Sequence, residues 1–378
     1  MALTDKERER RHRAINQILE REQLKALLLV GDTNVGHGFY GDHRYYTNNR
    51  IIFYRQVVIV FQGSAPVLFA GSDIQREAAA RRSFVRDCRL IQNDLSAEVM
   101  KLLKERGVTE GRVGVNLEML PTAWYLYFKK ELPGVEWVET HPQIMEIRNY
   151  HSQEENETYR KGAILGDGGY EAALKMIRSG VTEYEIAAEI EHHARARGAE
   201  DHFTLVGSGR FSFGNDNTLP FPYSPSPRKI EMDDSIVMEI TPRYEGYWTQ
   251  LVRTATVGRP NRDLVKIHQV CIGAIEKGLP FLKPGKRVKD VVLAMEPYVK
   301  DSGFLLRPPL GHLCGIDLVE ARVSNQNETV LEPGTAFILH PTVFTPDGKH
   351  SFFWGETYLI TEEGSERLHR STDELLTL

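Results

Sequence analysis

The sequence predicts two domains in series: an α/β N-terminal domain over residues 1–150 and an α+β domain over residues 151–378. Three observations point there. Short apolar runs bounded by turn residues alternate with helical periodicity as far as Val138, the pattern of a compact α/β domain. Beyond a linker at His141–Tyr150 the rhythm changes, and a unit of helices followed by paired strands occurs twice. Finally, Ile236–Thr254 reads as an apolar strand, a turn at Arg243–Gly246 and a returning strand, with Glu239 inside the first run and Gln250 on the return. An ionisable group in a buried strand is costly unless it is paired or put to use. What Glu239 faces is therefore the central question.

Taken in order, residues 4–23 form an amphipathic helix with Ile15, Ile18 and Leu19 on one face. Strands are expected at Ala26–Val30, Ile51–Phe61 and Pro66–Phe69, helices near 73–82 and 95–106, a short strand at Val113–Asn116, and a helix over 121–131. The second domain opens with a long charged helix over 152–178. Gly180 ends it, and Thr182-x-x-Glu185 is a capping box for a helix over 183–197. Strands follow at Phe203–Val206, Ser235–Thr241 and Tyr247–Val257, then helices over 261–278 and 287–302. The Gly311-His312 segment and strands at Ala336–His340 and Trp354–Ile360 complete the chain.

Composition excludes several classes. The chain is 41% apolar and 26% charged with a net charge of −5, so no basic excess exists to neutralise nucleic-acid phosphates or anionic lipid. No apolar run reaches the roughly 20 residues that span a bilayer. The three cysteines, Cys88, Cys271 and Cys314, are scattered with no CxxC, which suggests neither a disulfide framework nor a thiolate zinc site. With the charged start Thr4–Arg10 this leads to a cytoplasmic expectation. Cys314 beside Gly315 reads as small packing rather than as a nucleophile.

The order of elements, Gly311-His312-x-x-Gly315, Glu332-Pro333-Gly334 before the Ala336–Pro341 strand, and Gly246-Tyr247 with Arg253-Thr254 together resemble the pita-bread family of methionine aminopeptidase, prolidase, Xaa-Pro aminopeptidase and creatinase. The first half resembles the creatinase/prolidase N-terminal domain through Tyr45-Tyr46-Thr47 leading into the Ile51 run. The peptidases of that family hold two metal ions with two Asp, one His and two Glu. By that resemblance the Asp positions carry Glu239 and Gln250, the His is His312, and the Glu positions carry His340 and Gly355. A dinuclear site needs bridging carboxylates, so these replacements argue against one. The metal-free creatinase set is matched only partly, since its catalytic His falls on Asp216, one Glu on Val252 and the other on His340. The prolidase-type histidine is Val319, although Glu320 remains.

The residues themselves leave two readings of Glu239, His312 and His340. They form an acid/base set that needs no cofactor, with Gln250 and Asp216 orienting substrate or water. Alternatively they form a two-His-one-carboxylate face for a single Fe, Mn or Zn ion. The expected activity is hydrolysis of a non-peptide C–N bond in a small polar metabolite. A mononuclear Xaa-Pro peptidase-like or lyase enzyme and an inert binding module are the alternatives. Trp248 and Trp354 lie beside site positions and are candidates to box a flat or cationic substrate. Arg55, in Phe53-Tyr54-Arg55, resembles the creatinase arginine that binds the substrate carboxylate in the neighbouring subunit, with Arg50 as the other candidate. That resemblance implies a homodimer whose N-terminal domain reaches the partner's cleft. His192 and His193 read as solvated, and His202 is unassigned.

Overall fold

A computed structural model describes residues 3–32, 41–92, 94–211 and 222–378. The chain divides into two compact units, Met1–Arg148 and Asn149–Leu378. Among the described residues no helix is long and apolar enough to cross a membrane.

The first unit is built on a six-stranded sheet. Its strands are β1 (Leu24–Gly31), β2 (Gln56–Phe61), β3 (Ser64–Ala70), β4 (Asp87–Leu90), β5 (Glu110–Val115) and β6 (Gly134–Glu139), in the order β4-β3-β2-β1-β5-β6. The helices are α1 (Asp5–Arg21), α2 (Gly41–Thr47), α3 (Asp73–Arg82), α4 (Leu95–Glu105), α5 (Thr122–Glu131) and α6 (His141–Arg148). Leu28, Val30, Val57, Ile59, Val99, Leu103 and Phe128 share one buried cluster. Two expectations do not hold in this unit. The segment at His141–Tyr150 is mostly a helix rather than a linker, with Pro142 in its first turn, where a missing N–H costs no hydrogen bond. The strand expected from Ile51 begins only at Gln56, because Tyr54 sits at φ 59°, outside the extended region.

The second unit opens with α7 (Gln153–Met176) and α8 (Glu183–Ala196). Both are started by reciprocal capping boxes, Ser152 with Glu155 and Thr182 with Glu185. Strands β7 (Asp201–Gly209), β8 (Ser235–Tyr244), β9 (Tyr247–Trp248) and β10 (Leu251–Thr256) come next, then α9 (Arg262–Gly278), α10 (Val288–Asp301) and β11 (Leu305–Arg307). The chain continues through β12 (Gly311–Leu313), β13 (Ala321–Arg322), β14 (Ala336–Leu339), β15 (Thr342–Phe344), β16 (Ser351–Phe353), β17 (Gly355–Ile360), β18 (Ser365–Arg367) and β19 (Leu376–Thr377). The main sheet runs β13-β12-β14-β17-β10-β8-β7. Glu245 and Gly246 both have positive φ, the conformation of a tight hairpin turn between β8 and β9.

Helices α7 and α8 cover one face of β8 and β10. Met238, Ile240 and Leu251 pack in one cluster with Tyr170 and Ala173 of α7 and Ile186 and Ile190 of α8. Phe337 and Leu339 fall in another with Ile267 and Cys271 of α9 and Val292 and Met295 of α10. Alternation along a strand then sends the intervening residues, Glu239 and Ile338 among them, to the other face.

Candidate active site

The register assembles the site on that other face. Glu239 pairs with Val252 across β8 and β10, and Val252 pairs with Gly355 across β10 and β17. One row along, Thr357 pairs with Ile338, and Ile338 pairs with His312. Partners in a ladder share a face, as do residues two apart, so Glu239, Gly355, Thr357 and His312 lie on one surface. His340 follows one residue past β14, two beyond Ile338, and its backbone N–H donates to Leu310 O at 3.2 Å.

Glu239 is buried, and Gln250 Nε2 donates to its Oε1 at 2.5 Å. Burial pushes the carboxyl up to about 7, against the Gln250 hydrogen bond, which favours the ionised form. The Gln250 backbone is clamped by Thr357: its N–H donates to Thr357 Oγ1 at 2.8 Å, and Oγ1 donates back to Gln250 O at 3.1 Å. This interrupts the return strand between β9 and β10 at Thr249-Gln250. The His312 and His340 rings meet edge to face at 5.6 Å, and His340 also meets Phe353 at 5.6 Å. Burial lowers His312 to about 4, opposed by hydrogen bonds to the carbonyls of Leu313 and Leu318, and Nδ1 lies 3.3 Å from Leu313 O. Burial, and then the His312 charge, lowers His340 to about 3. Both imidazoles are therefore neutral at pH 7. His340 Nδ1 and Gln250 Oε1 are buried without a hydrogen-bond partner among the described residues.

Several candidates sit elsewhere. Trp248 is fully buried with the Arg243 guanidinium 5.1 Å from its ring. Trp354 is enclosed by Arg253 at 4.7 Å and by the His268 ring at 4.7 Å. Both indoles expected to box a substrate are instead packed against neighbouring cations, which leaves them little free surface. Arg55 bonds to Asp32 and lies 5.1 Å over Trp124, all within the first unit. Asp216 lies outside the described residues. His202 Nδ1 is 3.1 Å from Glu191 Oε1, and His193 lies over Gly168 of α7 rather than wholly in solvent. Cys314 is buried with Sγ donating to Trp248 O at 3.4 Å, and burial holds the thiol well above its ordinary range. Sequence reasoning missed Thr357. Its two-residue spacing from Gly355 on a strand was the available signal.

Metal fit follows from the donor set. A Cβ on Gly355 would sit 2.5 Å from His340 Cα and closer still to Leu339 O, so no carboxylate enters there without moving backbone. Gln250 turns an N–H, not a lone pair, toward Glu239. Among the described residues no three His, Cys, Asp or Glu side chains group closely enough to hold an ion. These residues do not fit a dinuclear centre.

Comparison with known proteins bears on the same chain. Residues 157–362 match metallopeptidase family M24, and residues 11–150 match the creatinase/prolidase N-terminal domain. The chain is 29% identical to a Xaa-Pro dipeptidase of Pyrococcus furiosus over 66% of its own length and 71% of the relative's. It is 24% identical to a creatinase of a Bacillus species over 95% of its own length and 89% of the relative's. Among solved structures, a Xaa-Pro dipeptidase from Bacillus anthracis superposes with a TM-score of 0.83 at 23% identity, covering 98% of this chain and 100% of that one. The prolidase from Pyrococcus horikoshii gives 0.83 at 24% identity, covering 97% and 100%.

Proposed function

We propose, from the premise that this chain belongs to metallopeptidase family M24 and carries a creatinase/prolidase N-terminal domain, that it hydrolyses a C–N bond of a small polar molecule without the family's paired metals. The observation that supports this most is the Glu239–Gln250 hydrogen bond beside a position 355 that admits no side chain. The bridging carboxylates a metal pair would need are replaced by an amide donor and bare backbone. What remains is one carboxyl and two neutral imidazoles, a set suited to proton transfer. In this reading Gln250 holds the Glu239 carboxyl in place, and His312 or His340 accepts a proton from water. Glu239 passes a proton to the departing nitrogen. Trp248, Trp354 and Arg55 take no part in these steps, and Asp216 is proposed to orient substrate.

The test is turnover of ureido and guanidino compounds after exhaustive chelation. Activity should survive, and His312→Ala should lower it by roughly 100-fold or more. Retained turnover in His312→Ala would sink the reading.

The relatives' names favour a second reading, Xaa-Pro dipeptide hydrolysis, for which a single divalent ion on Glu239, His312 and His340 is proposed. It requires His312 to release Leu313 O and the three groups to draw together. Stoichiometric Mn, Fe or Zn in the purified protein, with Xaa-Pro cleavage lost on chelation, would establish it over the first. A homodimer is proposed in either case, testable by light scattering.

A further inference from the structure

The cleft with the most unassigned chemistry lies in the first unit, between α1, the β2–β3 hairpin and the segment entering β4. It is open to solvent, with a volume of about 610 Å³, and is lined by His12, Asn16, Phe61, Pro66, Phe84 and Arg86, among others. That volume is in the range of small-molecule sites. His12 and Phe84 form one wall, and Tyr46 packs against both. The His12 and Phe84 rings meet edge to face at 5.4 Å and Tyr46 and Phe84 at 4.8 Å, while His12 and Tyr46 are tilted at 5.9 Å.

The polar groups of this wall are sorted by their hydrogen bonds. Tyr46 is wholly buried, and burial keeps its hydroxyl protonated. That hydroxyl lies 2.8 Å from His12 Nδ1. Burial also lowers the His12 pKa; with the Tyr46 hydroxyl donating to Nδ1, the neutral ring would carry its proton on Nε2. Nε2–H is then the ring's remaining donor. The Asn16 amide N–H is spent on His12 O at 2.8 Å. Asp87, the carboxylate in the lining, is neutralised by Arg89 through bonds of 2.8 and 2.9 Å. Arg86 is exposed, and its guanidinium has no ion-pair partner among the described residues. Arg106 adds a further positive charge 5.4 Å over Phe61. Arg86 and Arg106 thus place positive charge beside an apolar surface.

We propose that this cleft binds a small planar carboxylate, its ring against Phe84 and Pro66 and its carboxylate held by Arg86 and His12 Nε2–H. A guanidinium suits a carboxylate because it offers two parallel N–H donors. The site shares no residue with the Glu239 face, so it stands or falls separately from the proposed hydrolysis.

Calorimetric titration of the full chain with 2-naphthoate tests it, with neutral 2-naphthamide as the control. Saturable one-to-one binding is expected, weakened roughly tenfold or more in Arg86→Ala and for the amide, since each removes a charge-assisted hydrogen bond. His12→Phe keeps the ring packing and removes the donor, and should weaken binding several-fold. Arg86 is exposed, so its variant remains decisive even if His12→Phe is poorly folded. No saturable binding by the unmodified protein, or equal binding by Arg86→Ala, overturns the proposal.

Discussion

The two units each bury a carboxylate, and they treat it in opposite ways. Asp42 in the first unit accepts from Arg148 Nη1 at 2.5 Å, from His141 Nδ1 at 2.8 Å and from Asn116 Nδ2 at 3.2 Å. Burial raises its pKa, but Arg148 and His141 outweigh that and hold it at about 2. Glu239 in the second unit has an uncharged amide for company, and burial carries it to about 7. The first carboxylate is charged, paired and structural. The second has only an uncharged amide to offset its burial, an arrangement that costs stability and is characteristic of sites where protons move. Burial alone therefore does not mark a functional carboxylate. The identity of its partner does.

The contrast can be broken most severely at Arg148. Arg148→Ala leaves Asp42 without its cation and should cost about 3–5 kcal/mol in the unfolding of the first unit, measured in denaturant. A loss under about 1 kcal/mol would mean that the pair is not what keeps Asp42 charged.

Next is the pH dependence of Glu239. Its folded pKa lies above the ordinary 4.5, so the fold favours the protonated form. Its contribution is complete below about pH 4.5 and is lost as pH rises to about 7, by about 3 kcal/mol. Subtracting the stability curve of Glu239→Gln should isolate that slope, and a flat difference would remove the contrast. The same substitution should lower turnover while sparing stability near pH 7.

Asp42 should show the mirror image. Its folded pKa is depressed, so its contribution is present above about pH 3.8 and is lost as pH falls to about 2, by about 2 kcal/mol. Asp42→Asn should abolish that acid limb. A limb that persists in the variant belongs to other groups.

The smallest effect is expected at Thr357. Thr357→Val removes the clamp on the Gln250 backbone and should cost about 1 kcal/mol of stability. Its informative readout is the Glu239 slope, which shifts if Gln250 loosens and stays put if Thr357 only joins strands.

Legibility varies with how local the signal is. The helix after Thr182 is readable because a capping box needs only four residues, and Thr182 and Glu185 make both of its bonds. Helix α2 escapes the sequence reading because all seven residues, Gly41–Thr47, are buried, so no polar face reveals a helical period. The β8–β9 hairpin is visible from Glu245-Gly246, but the break at Thr249-Gln250 depends on Thr357, distant in the chain. At the site, the residue types at 239, 250, 312, 340 and 355 are readable and already speak against paired metals. Their grouping on one face comes from strand register.

By itself the sequence determined most of the longer strands and helices, that two domains follow one another, and that a carboxylate stands inside an apolar strand. These depend on periodicity, caps and turns within a few residues. Tertiary structure alone decided that Arg253 and Arg243 cover the two indoles, that Arg55 turns to Asp32, and that His340 closes the space at Gly355. Most of those outcomes join residues distant in the chain. They are set by packing across strands, where a single backbone approach decides whether a side chain fits.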